Sequence, residues 1–280
     1  MHDPGFERRP MVGGRAAAVG TRPVVFALCG VLAAIVIFSA ASAVAGVTND
    51  FAPLVWLDSA DAGTFVDYGA GVVNEWHDKS GNNHHAIQAD NKRAPVTWAG
   101  NDPPVDRPRV HFGGTGPLAD YMNNTTMPAL GNGSRTVIFL ATPFGSSSSD
   151  IAVGLRGYTG GGAPAGTAWG PTDTTIFGVG PGADLGGLAS FGNRTSPTSQ
   201  IMVAEWNLPA GVVRRFTNGN KVSETGGATW NTGAGYVLAN WANNLDRFWD
   251  GQIREVLIFD RKLSDAERVI IENYLQAKFD

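Results

Sequence analysis

The chain is poor in cysteine and in charged residues. Of its 280 residues one is Cys, and only 16% are charged while 43% are hydrophobic. Cys29 lies in an apolar run near the N-terminus, so the remainder of the chain cannot form an internal disulfide. So few charges exclude a coiled coil and a charged disordered chain. The net charge is −4 and no basic block follows residue 22, which argues against nucleic acid as a partner.

The first 45 residues have the pattern of an export signal. Four arginines precede an uncharged apolar run over residues 24–45, which ends in the A-x-A pattern Ala43-Val44-Ala45. We predict a signal peptide over residues 1–45 that is cut after Ala45. The alternative is an uncleaved anchor, because an apolar run of about 20 residues can span a bilayer. Both predict an extracellular domain over 46–280, either secreted or held at the membrane by the leader alone.

Short apolar segments bounded by turn residues recur along residues 46–280. The chain has 37 Gly and 10% aromatic residues, a composition typical of a turn-rich β protein. Asn218-Gly219 predicts the clearest hairpin turn, because both residues tolerate positive φ. The last segment is almost continuously apolar and predicts a central strand. The predicted strands cover 54–57, 72–76, 109–112, 136–141, 151–155, 174–179, 201–206, 212–217, 236–239 and 253–259. Together they predict an antiparallel sandwich or barrel.

One helix is expected at the C-terminus. Ser264 and Glu267 stand three residues apart and form a capping box, in which the Ser caps backbone N–H groups and the Glu reaches back. Apolar residues then follow at helical spacing, among them Val269, Ile270 and Tyr274. We expect this helix to pack on the sandwich.

Two motifs carry a family resemblance. The first is a W-x-D-x-S-G-N turn made by Trp76, Asp78, Ser80, Gly81 and Asn82. The second is a closing G-x-I-x-E-V-x-I-F-D-R-x-L-S-x-x-E pattern, made by Gly251, Ile253, Glu255, Val256, Ile258, Phe259, Asp260, Arg261, Leu263, Ser264 and Glu267. Between them, the segment from Arg109 to Asp120-Tyr121 is similar too, although Gly113 stands where an Asp is usual.

With these motifs, residues 51–280 resemble bacterial concanavalin-A-like (laminin-G-like) jelly-roll domains. The resemblance implies an all-β, two-sheet antiparallel jelly-roll sandwich with one C-terminal α-helix, preceded here by the hydrophobic export helix. It does not imply one function, because this fold carries lectins, hydrolases, lyases and adhesive modules.

Catalytic patterns are scarce. The acid pair Asp265/Glu267 has the i,i+2 spacing, but the start of the helix explains it. Glu205 is the best single candidate for an acid that meets another from a different strand, although an ordinary outward-facing role is expected for it. His84 and His85 are adjacent and point apart, so a solvated turn is expected there rather than a metal site. No catalytic residue is predicted, and an enzyme is not indicated.

Tryptophans in turn-rich segments indicate binding. Trp56, Trp76, Trp206 and Trp249 fall on or beside strands and are expected in the core, whereas three others lie among turn residues. Those three, Trp169, Trp230 and Trp241, are the predicted platforms for a sugar ring. They compete with an interpretation in which each ring folds back as a lid on the sandwich edge.

The loop after Trp241 is the first choice for ligand contact, through Asn243 and Asp246. Asn244, Asp246 and Asp250 also offer oxygen ligands to a hard cation, and the family resemblance implies a structural Ca²⁺. The first hypothesis is therefore an extracellular module that binds a glycan or a cell-surface polymer. A protein-binding adhesive module comes second, and a polysaccharide-cleaving enzyme on the same fold comes third.

Overall fold

A computed structural model describes residues 50–91, 94–98, 109–113, 119–131, 133–144, 152–157, 178–179, 183–184, 199–225, 232–240 and 249–279. All of them belong to the compact unit Phe38–Asp280. The predicted leader, residues 1–45, lies outside the described residues. Within the described part of the chain, no helix is both long enough and apolar enough to cross a bilayer.

Two antiparallel sheets form the body of the protein. The larger sheet runs in the order β14 (Asn220–Thr225), β13 (Val212–Thr217), β12 (Gln200–Asn207), β8 (Arg135–Pro143), β16 (Gly251–Phe259), β6 (Arg109–Phe112) and β5 (Val96–Trp98), and β1 (Val55–Asp58) pairs with the second half of β16. The smaller sheet runs β2 (Phe65–Asp67), β3 (Val73–Trp76), β4 (Ala86–Ile87), β7 (Met122–Asn124), β15 (Thr232–Leu238) and β9 (Val153–Gly157). A separate pair is formed by β10 (Gly178–Val179) and β11 (Ala183–Asp184).

Alternation along the strands gives the larger sheet two apolar faces. On β8, Val137 and Phe139 point between the sheets, while Ile138 and Leu140 point to the opposite side. The inter-sheet core also takes Trp76 and Met122 from the smaller sheet. Successive side chains on a strand point to opposite faces, so a strand that is apolar throughout must be covered on both.

The second face is covered by the C-terminal helix, α1 (Asp265–Phe279). Its buried residues include Ile271 and Leu275, which pack in one cluster with Ile138 and Leu257 of the sheet. The helix begins with the expected capping box: Glu267 N–H donates to Ser264 Oγ (3.2 Å), and Ser264 N–H donates to Glu267 Oε2 (2.7 Å). The predicted helix and its packing on the sandwich are confirmed.

The predicted all-β fold, with two antiparallel sheets and one C-terminal helix, is therefore confirmed. The predicted central strand is β16, which lies between β8 on one side and β6 and β1 on the other. The hairpin at Asn218-Gly219 joins β13 to β14 with φ of +47° and +77°. The four tryptophans expected in the core are all buried: Trp56, Trp76, Trp206 and Trp249.

Two residues of the closing motif, Gly251 and Glu255, have structural roles. Gly251 lies so close to β8 that an added Cβ would stand 2.4 Å from Thr142 O, so no larger residue fits there without a shift of the backbone. Glu255 is completely buried and accepts hydrogen bonds from Trp56 Nε1 (2.7 Å) and Lys278 Nζ (2.6 Å). Both motif residues thus join β16 to its neighbours, on β8, β1 and α1.

Candidate functional site

The residues predicted to contact a ligand lie mostly outside the described part of the chain. Six of them lie outside the described residues: Trp169, Trp230, Trp241, Asn243, Asn244 and Asp246. Asp250 is described and half-buried, and its backbone carbonyl accepts a hydrogen bond from Phe144 N–H (2.9 Å). Among the described residues no cluster of three His, Cys, Asp or Glu side chains is arranged to hold a metal ion. The loop platforms and the Ca²⁺ site remain predictions.

A cavity of about 520 Å³ lies on the outer face of the smaller sheet, away from the core. We call it the outer-face cavity. Its orientation follows from alternation: Ala86 points into the core, and its neighbour Ile87 points out with 44% of its surface exposed. On the adjacent strand Met122 is in the core, and Asn123 is paired with Ile87. The cavity is lined by Asn83, His85, Ile87, Gln88, Ala89, Tyr121, Asn123, Asn124, Thr125 and Thr126.

One wall is the turn after β3, which Asp78 organises. Its Oδ1 accepts the N–H of Trp56 (2.8 Å) and of Ser80 (2.9 Å), and its Oδ2 accepts Ser80 Oγ (2.7 Å) and His84 N–H (2.9 Å). A carboxylate with four donors is well satisfied, and it ties the turn to β1 of the other sheet. This network explains the W-x-D-x-S-G-N motif and places Asn83 and His85 at the cavity.

The ring of His85 is held in one orientation. Asp78 N–H donates to His85 Nδ1 (2.9 Å), and the ring stacks on His77 with centroids 4.5 Å apart. Because Nδ1 accepts a hydrogen bond, the neutral imidazole carries its proton on Nε2. That Nε2–H has no partner among the described residues. The cavity wall therefore includes a hydrogen-bond donor that is fixed in tautomer and in ring orientation.

The opposite wall is the segment Tyr121–Thr126, and buried amides hold it in place. Asn124 Nδ2 donates to the carbonyl of His85 (2.7 Å), while its Oδ1 accepts the N–H of Thr126 (3.0 Å) and Met127 (2.7 Å). Gln88 Nε2 donates to the carbonyl of Tyr121 (2.9 Å). The two amide side chains are thus occupied in joining the walls, which leaves the exposed residues to meet a ligand.

The remaining lining combines apolar and polar surface. Ile87 and the Tyr121 ring supply apolar area, and the Asn83 amide and the Thr125 hydroxyl have no partner among the described residues. This mixture suits a ligand that has C–H faces and many hydroxyl groups. None of the described lining residues is Asp or Glu, so the described lining contains no carboxylate pair for bond cleavage.

Two acids outside the cavity were considered for catalysis. Glu205 lies on β12 under the helix, 1% exposed, with Arg268 Nε at 3.7 Å. The expected outward-facing role is wrong, because the side chain is buried between the sheet and α1, on a strand in the interior of the sheet. This burial raises the pKa of Glu205. Nor does it face the outer-face cavity, because that cavity lies on the other sheet.

Asp120 is the second of these acids. Burial raises the pKa of its carboxyl to about 6, the charge of Asp250 adds to the rise, and the hydrogen bond from Gly113 N–H (2.8 Å) opposes it. Gly113 stands where an Asp is usual in the resembling family, and an added Cβ there would lie 3.0 Å from His111 Nε2. The glycine thus leaves room for the His111 ring, and the hydrogen bond ties the residue after β6 to the segment before β7.

Comparison with known proteins gives a fold. No family model and no curated protein matches the chain. Among solved structures it is similar to the binding domain of botulinum neurotoxin DC in complex with rat synaptotagmin II, with a TM-score of 0.54 and 15% identity over 80% of this chain and 52% of that one. It is also similar to Trypanosoma rangeli sialidase in complex with sialic acid, with a TM-score of 0.53 and 14% identity over 80% of this chain and 33% of that one.

A third similar structure is domain 4 of a GH43 extracellular arabinanase from Geobacillus stearothermophilus in complex with arabinotriose, with a TM-score of 0.51 and 12% identity. The match covers 70% of this chain and 91% of that domain. The chain thus spans nearly all of the arabinanase domain, about half of the toxin binding domain and a third of the sialidase. At these identities the likeness shows the fold alone. It is a β-sandwich.

The sequence did not reveal the outer-face cavity. His84 and His85 do point apart as predicted, since His84 Nδ1 lies 3.2 Å from Thr126 Oγ1 while His85 stacks on His77. The expected solvated turn is only half right, because both rings are partly buried and His85 forms a cavity wall. Tyr121 stood within the Asp120-Tyr121 segment of the family pattern, which was the one available signal for the opposite wall.

Proposed function

We propose that this chain is an extracellular carbohydrate-binding module of the concanavalin-A-like, laminin-G-like jelly-roll type, and that its outer-face cavity contacts the sugar. The observation that supports this most is the cavity itself, where apolar surface from Ile87 and Tyr121 adjoins polar groups held by buried amides. Sugar rings need both, because burial of C–H faces supplies affinity and every buried hydroxyl needs a partner.

The sequence motifs and the solved structures support the same class. The motif residues Asp78 and Glu255 organise the turn and the closing strand, as a family-wide structural motif would require. Two of the structures with the same fold are complexes with sugars, sialic acid in one and arabinotriose in the other. The predicted leader would deliver the module outside the cell, and the loop rings of Trp169, Trp230 and Trp241 would extend the contact beyond the cavity.

A glycan array probed with the secreted form, residues 46–280, tests the proposal. We expect binding to a restricted set of oligosaccharides, which Tyr121→Ala weakens about tenfold by removing part of the apolar surface. The variants W169A, W230A and W241A separate the loop platforms from the cavity. If no glycan binds, the proposal fails; if Tyr121→Ala binds like the wild type while a tryptophan variant does not, the contact lies in the loops.

Two other functions each have one observation in their favour. A protein-binding role is favoured by Val269 and Ile270, which are 44% and 52% exposed side by side on α1, and the toxin domain of similar fold is a complex with a protein. Capture of a protein partner that competing sugars do not displace would support it. A polysaccharide-cleaving role is favoured by the raised pKa of Asp120 near Asp250. Release of reducing sugar that Asp120→Asn abolishes would support that one.

A further inference from the structure

The outer-face cavity has a feature that bears on which sugars it accepts. Its fixed donor, the Nε2–H of His85, can only give a hydrogen bond, because Nδ1 is already occupied by Asp78 N–H at 2.9 Å. A ring oxygen or hydroxyl oxygen is a suitable acceptor. The Asn83 amide and the Thr125 hydroxyl next to it can both donate and accept, as sugar hydroxyls require.

Two acidic residues lie beside the cavity in the described part of the chain. Glu75 is the cross-strand partner of Ile87, and its carboxylate lies 3.1 Å from His77 Nε2. Asp78 places its carboxylate in the turn that carries the His85 wall. Among the described lining residues none is Lys or Arg. A carboxylate sugar entering the cavity would therefore meet the Glu75 carboxylate on the same face of the sheet, and no Lys or Arg of the described lining would compensate its desolvation.

We propose that the outer-face cavity takes an uncharged sugar unit, that His85 orients it by donating Nε2–H to one of its oxygens, and that Glu75 discriminates against acidic sugars. This inference rests on the proposed carbohydrate-binding function. The proposed sugar unit differs in charge from the ligand of the sialidase structure, because sialic acid is an anion. The cavity thus favours the neutral member of a pair of glycans that differ by one carboxylate.

Titration calorimetry with matched pairs tests this. Galacto-oligosaccharide is compared with oligogalacturonide, and any neutral glycan found on the array is compared with the same glycan carrying a uronic acid in place of one hexose. We expect the neutral member to bind at least about tenfold more tightly at low salt, with the preference reduced in high salt. Glu75→Gln should narrow the preference by strengthening binding of the acidic member alone. Glu224→Gln, an exposed acid on β14 of the other sheet, is the matched control and should leave it unchanged.

Two further variants cover the other parts of the inference. His85→Phe keeps a flat ring beside His77 but lacks the N–H, so it should weaken neutral-sugar binding about tenfold with the fold intact by circular dichroism. Thr125 lines the cavity but does not hold the turn. Thr125→Val should therefore weaken neutral-sugar binding less than His85→Phe does.

Each outcome decides between the two proposals. Equal or tighter binding of the acidic member overturns this inference and leaves carbohydrate binding standing. The inference is also overturned if Glu75→Gln leaves the preference for the neutral sugar unchanged, or if His85→Phe leaves the affinity for the neutral sugar unchanged. Binding of no glycan at all overturns both.

Discussion

Glu255 makes the stability of the protein depend on pH in a direction opposite to that of most carboxylates. The side chain is completely buried on β16, where its oxygens accept hydrogen bonds from Trp56 Nε1, Tyr274 OH and Lys278 Nζ. Lys278 is shared, because its Nζ also lies 2.6 Å from Asp58 Oδ1. Burial raises the pKa of Glu255 to about 7; Lys278 opposes this rise, and the charge of Asp58 adds to it.

The magnitude follows from the difference between the folded and unfolded states. In the unfolded chain the pKa of a Glu is near 4.3, so the folded protein binds this proton more tightly by about 4 kcal/mol. Because the folded pKa is the higher one, this stabilisation is complete below about pH 4 and is lost as the pH rises through 7. We therefore expect the free energy of unfolding to fall by about 2 to 3 kcal/mol between pH 5 and pH 8 on account of Glu255.

Urea unfolding of residues 46–280 at pH 5, 6, 7 and 8 measures this, with Glu255→Gln beside the wild type. The variant cannot titrate at this position and imitates the protonated carboxyl, so its stability should change less over the range. The difference between the two curves should therefore change by about 2 to 3 kcal/mol between pH 5 and pH 8. Glu267→Gln is the control: Arg261 and Ser264 hold the pKa of Glu267 at about 2, so its contribution is constant above pH 5 and that variant should be shifted equally at every pH. Parallel curves for wild type and Glu255→Gln would refute the reasoning.

Three other predictions follow from single contacts. Gly251→Ala should destabilise the fold by about 1–3 kcal/mol in urea unfolding, since its Cβ would meet the Thr142 carbonyl at 2.4 Å. Gly63→Ala is the control and should change the stability less, because its Cβ would meet only the side chain of exposed Asp61, at 3.2 Å. Equal effects would contradict the close approach of β16 to β8. Asp78→Asn should cost roughly 2 kcal/mol and weaken glycan binding as well, because an amide cannot accept all four donors of the turn; unchanged affinity would separate the turn from the cavity. Ca²⁺ at about 100 times its Kd should stabilise the protein by about 2.7 kcal/mol relative to a chelator control, and Asp250→Asn should abolish this stabilisation. A melting temperature that does not change with calcium would contradict the predicted cation site.

Local pattern was enough to predict the strands that are long or sharply bounded. β6 and β13 begin and end where the sequence places them, because glycine or proline flanks each segment and β6 also alternates polar and apolar residues. β2, β4 and β7 were not predicted. Each has two or three residues, too few to show a period, and each becomes a strand only through its neighbours in the smaller sheet.

The outer-face cavity escaped prediction for a related reason. Its walls come from residues 83–89 and 121–126, which meet because β4 pairs with β7 and because Asn124 and Gln88 bond across the gap. The W-x-D-x-S-G-N motif signalled a turn, but the orientation of His85 depends on an N–H in that turn and on stacking with His77. The sequence predicted the loop tryptophans as sugar platforms, whereas the aromatic residue that lines this cavity is Tyr121, directly before a short strand.

Affinity at the outer-face cavity is the most direct test of the account. Two isoleucines have similar exposure on different surfaces: Ile87 is 44% exposed on the smaller sheet, and Ile270 is 52% exposed on α1. Titration of the best array glycan into Ile87→Ser and Ile270→Ser compares the two surfaces with the chemistry of the change held constant. We predict about a tenfold loss of affinity for Ile87→Ser, from roughly 1.4 kcal/mol of apolar contact, and wild-type affinity for Ile270→Ser. Wild-type affinity in Ile87→Ser, or an equal loss in both variants, would contradict the claim that this face of the sandwich binds sugar.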